Sequence, residues 1–241
     1  MGSMIFAHRG ASGYAPENTL EAFQLAVDQG ADGVELDVQL TRDHQLIVTH
    51  DERIDRVSDG TGFINSLTLK EIKKHLFNMT HPEYSEARAP TLEEVLVLLA
   101  PTGLKVNIEL KNSRLPYPGM EEKCLNLVES LGLNERVVYS SFNHHSLQFI
   151  KRLNRQAVCG LLYDCCLIQP ANYLKLTGLD AVHPHYSDLL LYPDEYEAVR
   201  LQGGQVNVWT VNDDREMRKV IDAGADILIT NYPDRAKAVA G

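Results

Sequence analysis

One pattern governs what this chain can become: short β-branched runs alternate with helix-length amphipathic stretches from end to end. The strand-like runs are Met4–Ala7, Gly33–Leu40, Lys105–Leu110, Val137–Ser140, Val158–Leu162, Asp180–His183, Gln205–Val211 and Asp226–Thr230. Between them, Leu20, Phe23 and Val27 share one helical face, and Asn18 with Glu21, Thr68 with Glu71 and Thr91 with Glu94 have the spacing of a capping box. Further helices fit Gly119–Ser130, His144–Leu153, Pro170–Leu176, Asp194–Gln202, Asp214–Ala223 and Pro233–Val239. Gly132, Gly203 and Gly224 stand just past three of these, where a left-handed residue closes a helix. A repeat of strand, helix, strand requires a parallel sheet, and eight units is the count at which such a sheet closes on itself. The pattern therefore predicts an α/β fold, a TIM (β/α)8 barrel.

The length of 241 residues suits that reading, because α/β barrels occupy roughly 200–250 residues as one unit. One stretch interrupts the repeat, from about Asp51 to Pro90, rich in turn residues and carrying one short helix. It reads as a short insertion after the second strand, with Leu46–His50 extending or pairing with that strand. No low-complexity tract or Pro/Ser-rich linker marks a second domain, so residues 1–241 are expected to form one domain with a small insertion at about 51–90.

Charge narrows the partners. With 23 Lys and Arg against 33 Asp and Glu, the net charge of −10 disfavours nucleic acid, which needs clustered basic residues, but allows a small anion held by a few local cations. No apolar run approaches the ~18 residues of a membrane span, so no stable membrane association is expected. Met1–Gly10 is too short and too polar for a signal peptide. Met1-Gly2-Ser3 ahead of Met4 reads as a cloning scar, which would make Met4 the natural start. The four cysteines, Cys124, Cys159, Cys165 and Cys166, are few and unevenly spaced, unlike a disulfide-stapled secreted domain; a reducing, cytoplasmic setting is expected.

In a closed barrel the chemistry sits at the carboxyl ends of the strands. The first strand ends in His8-Arg9-Gly10. The second contains Glu35-Leu36-Asp37, and period-two alternation puts both carboxylates on one face. By the same rule Asn107, Glu109 and Lys111 share a face on the third. Ser141, His183, Trp209 and Asn231 also fall at strand ends. Three converging carboxylates repel one another and lose solvation unless a cation sits among them. Glu35, Asp37 and Glu109 are hard oxygen ligands suited to a divalent metal cation, Mg2+ or Ca2+; buried ion pairs with Arg or Lys are the structural alternative. His8 and His50 are the candidates for proton transfer, since imidazole titrates near neutrality. Arg9 and Lys111 are fixed cations suited to a phosphodiester, or counter-ions for the carboxylates. Trp209 fits either a cover over substrate or barrel filling.

Other patterns carry less. Gly10-Ala11-Ser12-Gly13 lacks both the dinucleotide glycine spacing and the phosphate-loop lysine, and no Gly-x-Ser-x-Gly elbow is present. Cys165-Cys166 lacks Cys-x-x-Cys spacing, and His144-His145 reads as a helix start.

In order along the chain stand His8-Arg9-Gly10, Pro16-Glu17-Asn18-Thr19 with Ala22-Phe23, Gly30-Ala31-Asp32, Glu35-x-Asp37, Thr41-x-Asp43 and His50-Asp51. They are followed by Arg56, Gly60-Thr61-Gly62, Pro90-Thr91-Leu92, Asn107-Ile108-Glu109-Leu110-Lys111, Trp209-Thr210-Val211-Asn212 and Gly224-Ala225-Asp226. This ordered set resembles the glycerophosphodiester phosphodiesterase family, of the bacterial cytosolic kind, across almost the whole chain. The resemblance implies a metal-dependent hydrolase on a TIM barrel that releases sn-glycerol 3-phosphate and an alcohol from glycerophosphodiesters such as glycerophosphocholine or glycerophosphoethanolamine. It implies Glu35, Asp37 and Glu109 as metal ligands, His8 and His50 as the general acid/base pair, and Arg9 and Lys111 as phosphate contacts. One departure is Val57, where the family usually carries a hydroxyl residue after Arg56.

The competing readings are another phosphodiesterase or phospholipase of similar barrel (lysophospholipase D or phosphoinositide-type), a non-catalytic barrel that binds phosphorylated metabolites, and a sugar-phosphate isomerase. The sequence is compatible with a homo-oligomer, with either ion, and with attack by water or by the glycerol 2-hydroxyl.

Overall fold

The structure, a computed structural model, describes residues 2–241; Met1, part of the expected scar, lies outside the described residues. Among the described residues nine strands form: β1 (Met4–His8), β2 (Gly33–Leu40), β3 (Leu46–Val48), β4 (Lys105–Leu110), β5 (Val137–Ser141), β6 (Val158–Tyr163), β7 (Ala181–Pro184), β8 (Gln205–Val208) and β9 (Ile227–Thr230). All but β3 pair in parallel, and β1 closes the ring by bonding both β2 and β9. This is the expected eight-stranded barrel. β3 runs antiparallel to β2, with Val38 opposite Val48.

Around the ring lie α1 (Leu20–Asp28), α2 (Leu69–Ile72), α3 (Leu92–Leu99), α4 (Met120–Ser130), α5 (His144–Leu153), α6 (Pro170–Thr177), α7 (Tyr186–Leu191), α8 (Pro193–Leu201), α9 (Asp214–Asp222) and α10 (Pro233–Ala240). The outward strand positions, among them Ile5, Val34, Leu36, Ile108 and Leu161, pack against helix residues such as Phe23, Leu96, Val128 and Ile150 in one continuous apolar layer. That layer is the main core, since burying an aliphatic side chain contributes roughly 1.5–3 kcal/mol.

The barrel interior is built differently. Its floor is Phe6 with Ile227 and Ile229, and Gly33 makes room for it, because a Cβ there would overlap the Phe6 ring. Above the floor the inward positions turn polar: Asn107, Ser140, His183 and Asn207 are all buried. Alternation along each strand thus sends apolar groups outward and polar groups into the mouth.

Several local expectations hold, and others shift. Thr68 and Thr91 form reciprocal capping boxes with Glu71 and Glu94. Gly132, Gly203 and Gly224 take the left-handed conformation, at φ 68°, 84° and 81°. The first helix, however, is capped by Thr19, whose hydroxyl accepts from the Ala22 amide, and not by Asn18. Asn18 itself sits at φ 58°, which frees its amide for the site. β8 stops at Val208, three residues short of the expected Val211, and Trp209 continues it only as an isolated parallel bridge to His185. α7 follows β7 directly and is too short to show a helical period in the sequence.

Between β3 and α3 the chain builds its own small apolar cluster from Ile54, Val57, Ile64, Ile72, Phe77 and Ala89, packed on Ile47. Val57 is 5% exposed in that cluster, which accounts for an aliphatic side chain at this position. Among the described residues, no helix is long and apolar enough to cross a membrane.

Candidate active site

Parallel register sets the carboxylates side by side: His8 pairs with Glu35 across β1 and β2, and Asp37 pairs with Glu109 across β2 and β4. The ligand oxygens of Glu35, Asp37 and Glu109 lie within 4.8 Å of one another. Two cations serve this cluster. Arg9 Nε is 3.3 Å from Asp37 Oδ2, and Lys111 Nζ is 2.9 Å from Glu109 Oε1 and 3.8 Å from Asp37 Oδ1. Among the described residues Glu35 has no such partner; its Oε2 accepts from the Arg9 backbone N–H at 3.0 Å.

Ion pairing therefore does not balance the triad. Burial, followed by the charges of Asp37 and Glu109, pushes Glu35 well above the usual carboxylate range. Burial would raise Asp37 too, but Arg9 and Lys111 outweigh it and hold that carboxyl well below its ordinary value. Asp37 Oδ1 is buried and accepts no hydrogen bond among the described residues. Three convergent hard oxygens, one of them orphaned, fit a divalent cation, whose oxygen ligands at about 2.0–2.6 Å stand up to about 5 Å apart across the ion. The group could hold a metal, on Glu35, Asp37 and Glu109.

Two imidazoles flank the triad. His8 Nδ1 lies 2.7 Å from Asn231 Oδ1, which fixes Nδ1 as the donor and leaves the Nε2 lone pair free, 3.9 Å from Glu35 Oε2. Burial, then Arg9, lowers the His8 pKa to about 4, so the ring is neutral at pH 7. His50 Nδ1 lies 2.7 Å from Asp51 Oδ1, again leaving Nε2 free. The His50 loop is clamped from below by Gln39, whose amide donates to the carbonyls of Thr49, His50 and Asp51 at 3.1, 3.1 and 2.6 Å. The Tyr117 hydroxyl donates to Gln39 Oε1 at 2.9 Å.

These groups open onto a cavity of about 530 Å3. His8, Arg9, Glu35, His50, Glu109 and Lys111 line one side, and Phe142, Leu162, Asp164 and Trp209 the other. Asp37 lies beneath the lining. Trp209 is held in place by its indole N–H, which donates to the His183 carbonyl at 2.8 Å, and by the edge of Phe142 at 5.9 Å.

The sequence profile of the Glycerophosphoryl diester phosphodiesterase family matches residues 8–235. The chain belongs to that family. Among its curated relatives within the glycerophosphodiester phosphodiesterases, the protein from Caldanaerobacter subterraneus subsp. tengcongensis is 40% identical over 235 residues, covering 97% of this chain and 96% of that one. The Bacillus altitudinis relative is 38% identical, covering 96% of each. Among solved structures, an Oleispira antarctica phosphodiesterase in complex with the product sn-glycerol-3-phosphate is similar at a TM-score of 0.87 and 28% identity, covering 99% of this chain and 96% of that chain. The glycerophosphodiester phosphodiesterase from Agrobacterium tumefaciens is similar at 0.86 and 28%, covering 98% and 99%. Like the glycerophosphodiester phosphodiesterases it matches, this chain is an enzyme, a phosphoric diester hydrolase.

Set within that family, the remaining sequence candidates divide clearly. Asn231 touches His8, whereas Ser141 donates to the Leu110 carbonyl and His144 ties Tyr173 to the Leu162 carbonyl, both serving the frame. Cys165 and Cys166 are exposed, and all four cysteines are free. Two supports have no role at the site in the sequence reading. Asn18 donates to Asp37 Oδ2 at 2.9 Å, and Gln39 holds the His50 loop. Gln39 had a signal: it shares the inward face with Glu35 and Asp37 by the same period of two. Asn18 was masked by its resemblance to a helix cap.

Proposed function

We propose that this enzyme hydrolyses glycerophosphodiesters, such as glycerophosphocholine and glycerophosphoethanolamine, to sn-glycerol 3-phosphate and an alcohol. The observation that carries this reading is the buried triad of Glu35, Asp37 and Glu109 flanked by His8 and His50 at one cavity. Glu35, Asp37 and Glu109 would hold Mg2+ or Ca2+, and a bound ion would supply positive charge to the phosphate oxygens. Arg9 and Lys111 bind the same phosphate, and Trp209 covers the organic part of the substrate.

Neutral His8 accepts a proton at Nε2 from the attacking oxygen as the new P–O bond forms. His50, entering the step protonated on both nitrogens with its Nδ1–H held by Asp51, donates the Nε2 proton to the departing alcohol oxygen as the old P–O bond breaks. The attacking oxygen is that of water, or of the glycerol 2-hydroxyl with water then opening the cyclic phosphate. Residues 1–241 act as one catalytic domain, with about 51–90 as an insertion that carries the Asp51 support. Four free cysteines support a reducing, cytoplasmic setting.

A coupled assay for glycerol 3-phosphate over a panel of glycerophosphodiesters, run after chelation and re-addition of each ion, tests the proposal. The expected result is turnover lost on chelation and restored by Mg2+ or Ca2+. No turnover of any member with either ion overturns it.

A further inference from the structure

We infer that Glu17 and Arg56 are positioning residues that tie the Arg9 and His50 arms of the site into one rigid unit. The inference rests on the reading of His50 as a proton-transfer group. The path is continuous. Glu17 Oε1 accepts from Arg9 Nη1 at 2.9 Å and from Arg56 Nη2 at 2.8 Å, while Glu17 Oε2 accepts from Arg56 Nη1 at 2.8 Å. Arg56 Nε then donates to Asp51 Oδ2 at 2.6 Å, and Asp51 Oδ1 faces His50 Nδ1 at 2.7 Å. At the other end Arg9 Nε reaches Asp37 Oδ2 at 3.3 Å. Charges alternate along the chain of contacts from Asp51 through Arg56, Glu17 and Arg9 to Asp37.

Stability alone does not account for this arrangement. Glu17 is 14% exposed, so its bidentate pair contributes to folding, but Arg56 is 46% exposed and solvent screens its bond to Asp51. Geometry explains it better. The guanidinium of Arg56 uses three donors in two directions: a bidentate fork onto Glu17 and a third bond to Asp51. A lysine has no planar fork to reproduce that. The link also joins parts of the chain 39 residues apart, the loop after β1 and the segment after β3, which otherwise carry Arg9 and His50 on separate supports. A displacement of about 1 Å in a catalytic group costs on the order of 10²-fold in rate, so a brace between the two arms has a direct use in the reaction.

The test is a double-mutant cycle read in kcat and KM on glycerophosphocholine at saturating divalent ion, with melting temperature followed for every variant. Arg56→Gln is expected to lower kcat by roughly 10–100-fold with KM within a few-fold, and Glu17→Gln by at least as much, because it loosens both arms. In a His50→Ala background, Arg56→Gln should cost about twofold or less, since the group it positions is gone. Arg56→Lys keeps the charge without the fork and should recover only part of the loss; it decides the matter if Arg56→Gln melts out. Full kcat in Arg56→Gln, complete rescue by Arg56→Lys, or an equal loss with and without His50 would each overturn the inference. If His50→Ala alone keeps parental activity, the reading of His50 falls instead, and that outcome is visible before any variant of Arg56 is made.

Discussion

The two walls of the cavity come from different sectors of the barrel and obey different rules. β1, β2 and β4 are neighbours in the sheet, and with the loops after them they contribute His8, Arg9, Glu35, Asp37, Glu109 and Lys111. The far wall draws on the loops and ends of β5, β6 and β8 and presents Phe142, Leu162 and Trp209 with one acid, Asp164. Charged groups that must converge on one point need adjacent strands, whose spacing is about 4.8 Å. A surface that only flanks a substrate can be assembled from scattered positions. Ionisable groups are thus concentrated in one sector, and apolar shape is distributed over the remainder.

The sharpest way to break this contrast is to remove the imidazoles of the charged wall. His8→Ala and His50→Ala should each lower kcat by about 10²–10⁴ with little change in melting temperature, as measured by steady-state glycerol 3-phosphate release. Retention of kcat by both would show that the charged wall does not carry proton transfer. On the far wall, Trp209→Ala should raise KM roughly tenfold and leave kcat within a few-fold, the signature of lost uniform binding. If its kcat falls as far as in the histidine variants, the division into two walls is wrong.

The smallest effect concerns the frame beneath the far wall. His183 fills space left by Gly160, where a Cβ would overlap the imidazole, and its Nε2 accepts from Asn207 at 2.9 Å. Burial lowers its pKa to about 3. An unfolded histidine titrates near 6.5, so below that pH the unfolded chain takes up a proton that the native state refuses. The contribution of neutral His183 is complete above about pH 6.5 and is lost as pH falls toward 3, at up to ~1.4 kcal/mol per pH unit. Melting curves between pH 4 and 7 should show this slope, and His183→Gln should flatten it. An unchanged slope in that variant would assign acid sensitivity to other groups.

Much of this was written in local sequence. Period-two alternation over Gly33–Leu40 and Lys105–Leu110 put Glu35 and Asp37 on one face and Asn107, Glu109 and Lys111 on another, because strand geometry depends only on nearest neighbours. The capping boxes at Thr68 and Thr91 are equally local. Asn18 marks where such reasoning stops. Its spacing to Glu21 matches a cap, yet the structure gives capping to Thr19 and turns Asn18 toward Asp37, a partner 19 residues away. Arg56 and Glu17 stood in the ordered family pattern, but nothing in their surroundings along the chain says that they meet. α7 was missed because six residues cannot display a helical period.

The sequence by itself determined the repeat of strand and helix, the closed parallel barrel it requires, and the identity of the carboxylates and imidazoles at the strand ends. All of these follow from periodicity and spacing within a few residues. Only the tertiary structure decided what each charged group faces. Closing the ring brings Asn231 to His8 across 223 residues, folding the segment after β3 carries Arg56 to Glu17, and crowding three buried carboxylates drives Glu35 up while Arg9 and Lys111 hold Asp37 down. Electrostatic energies depend on distance through space and on burial, and neither is a property of position along the chain.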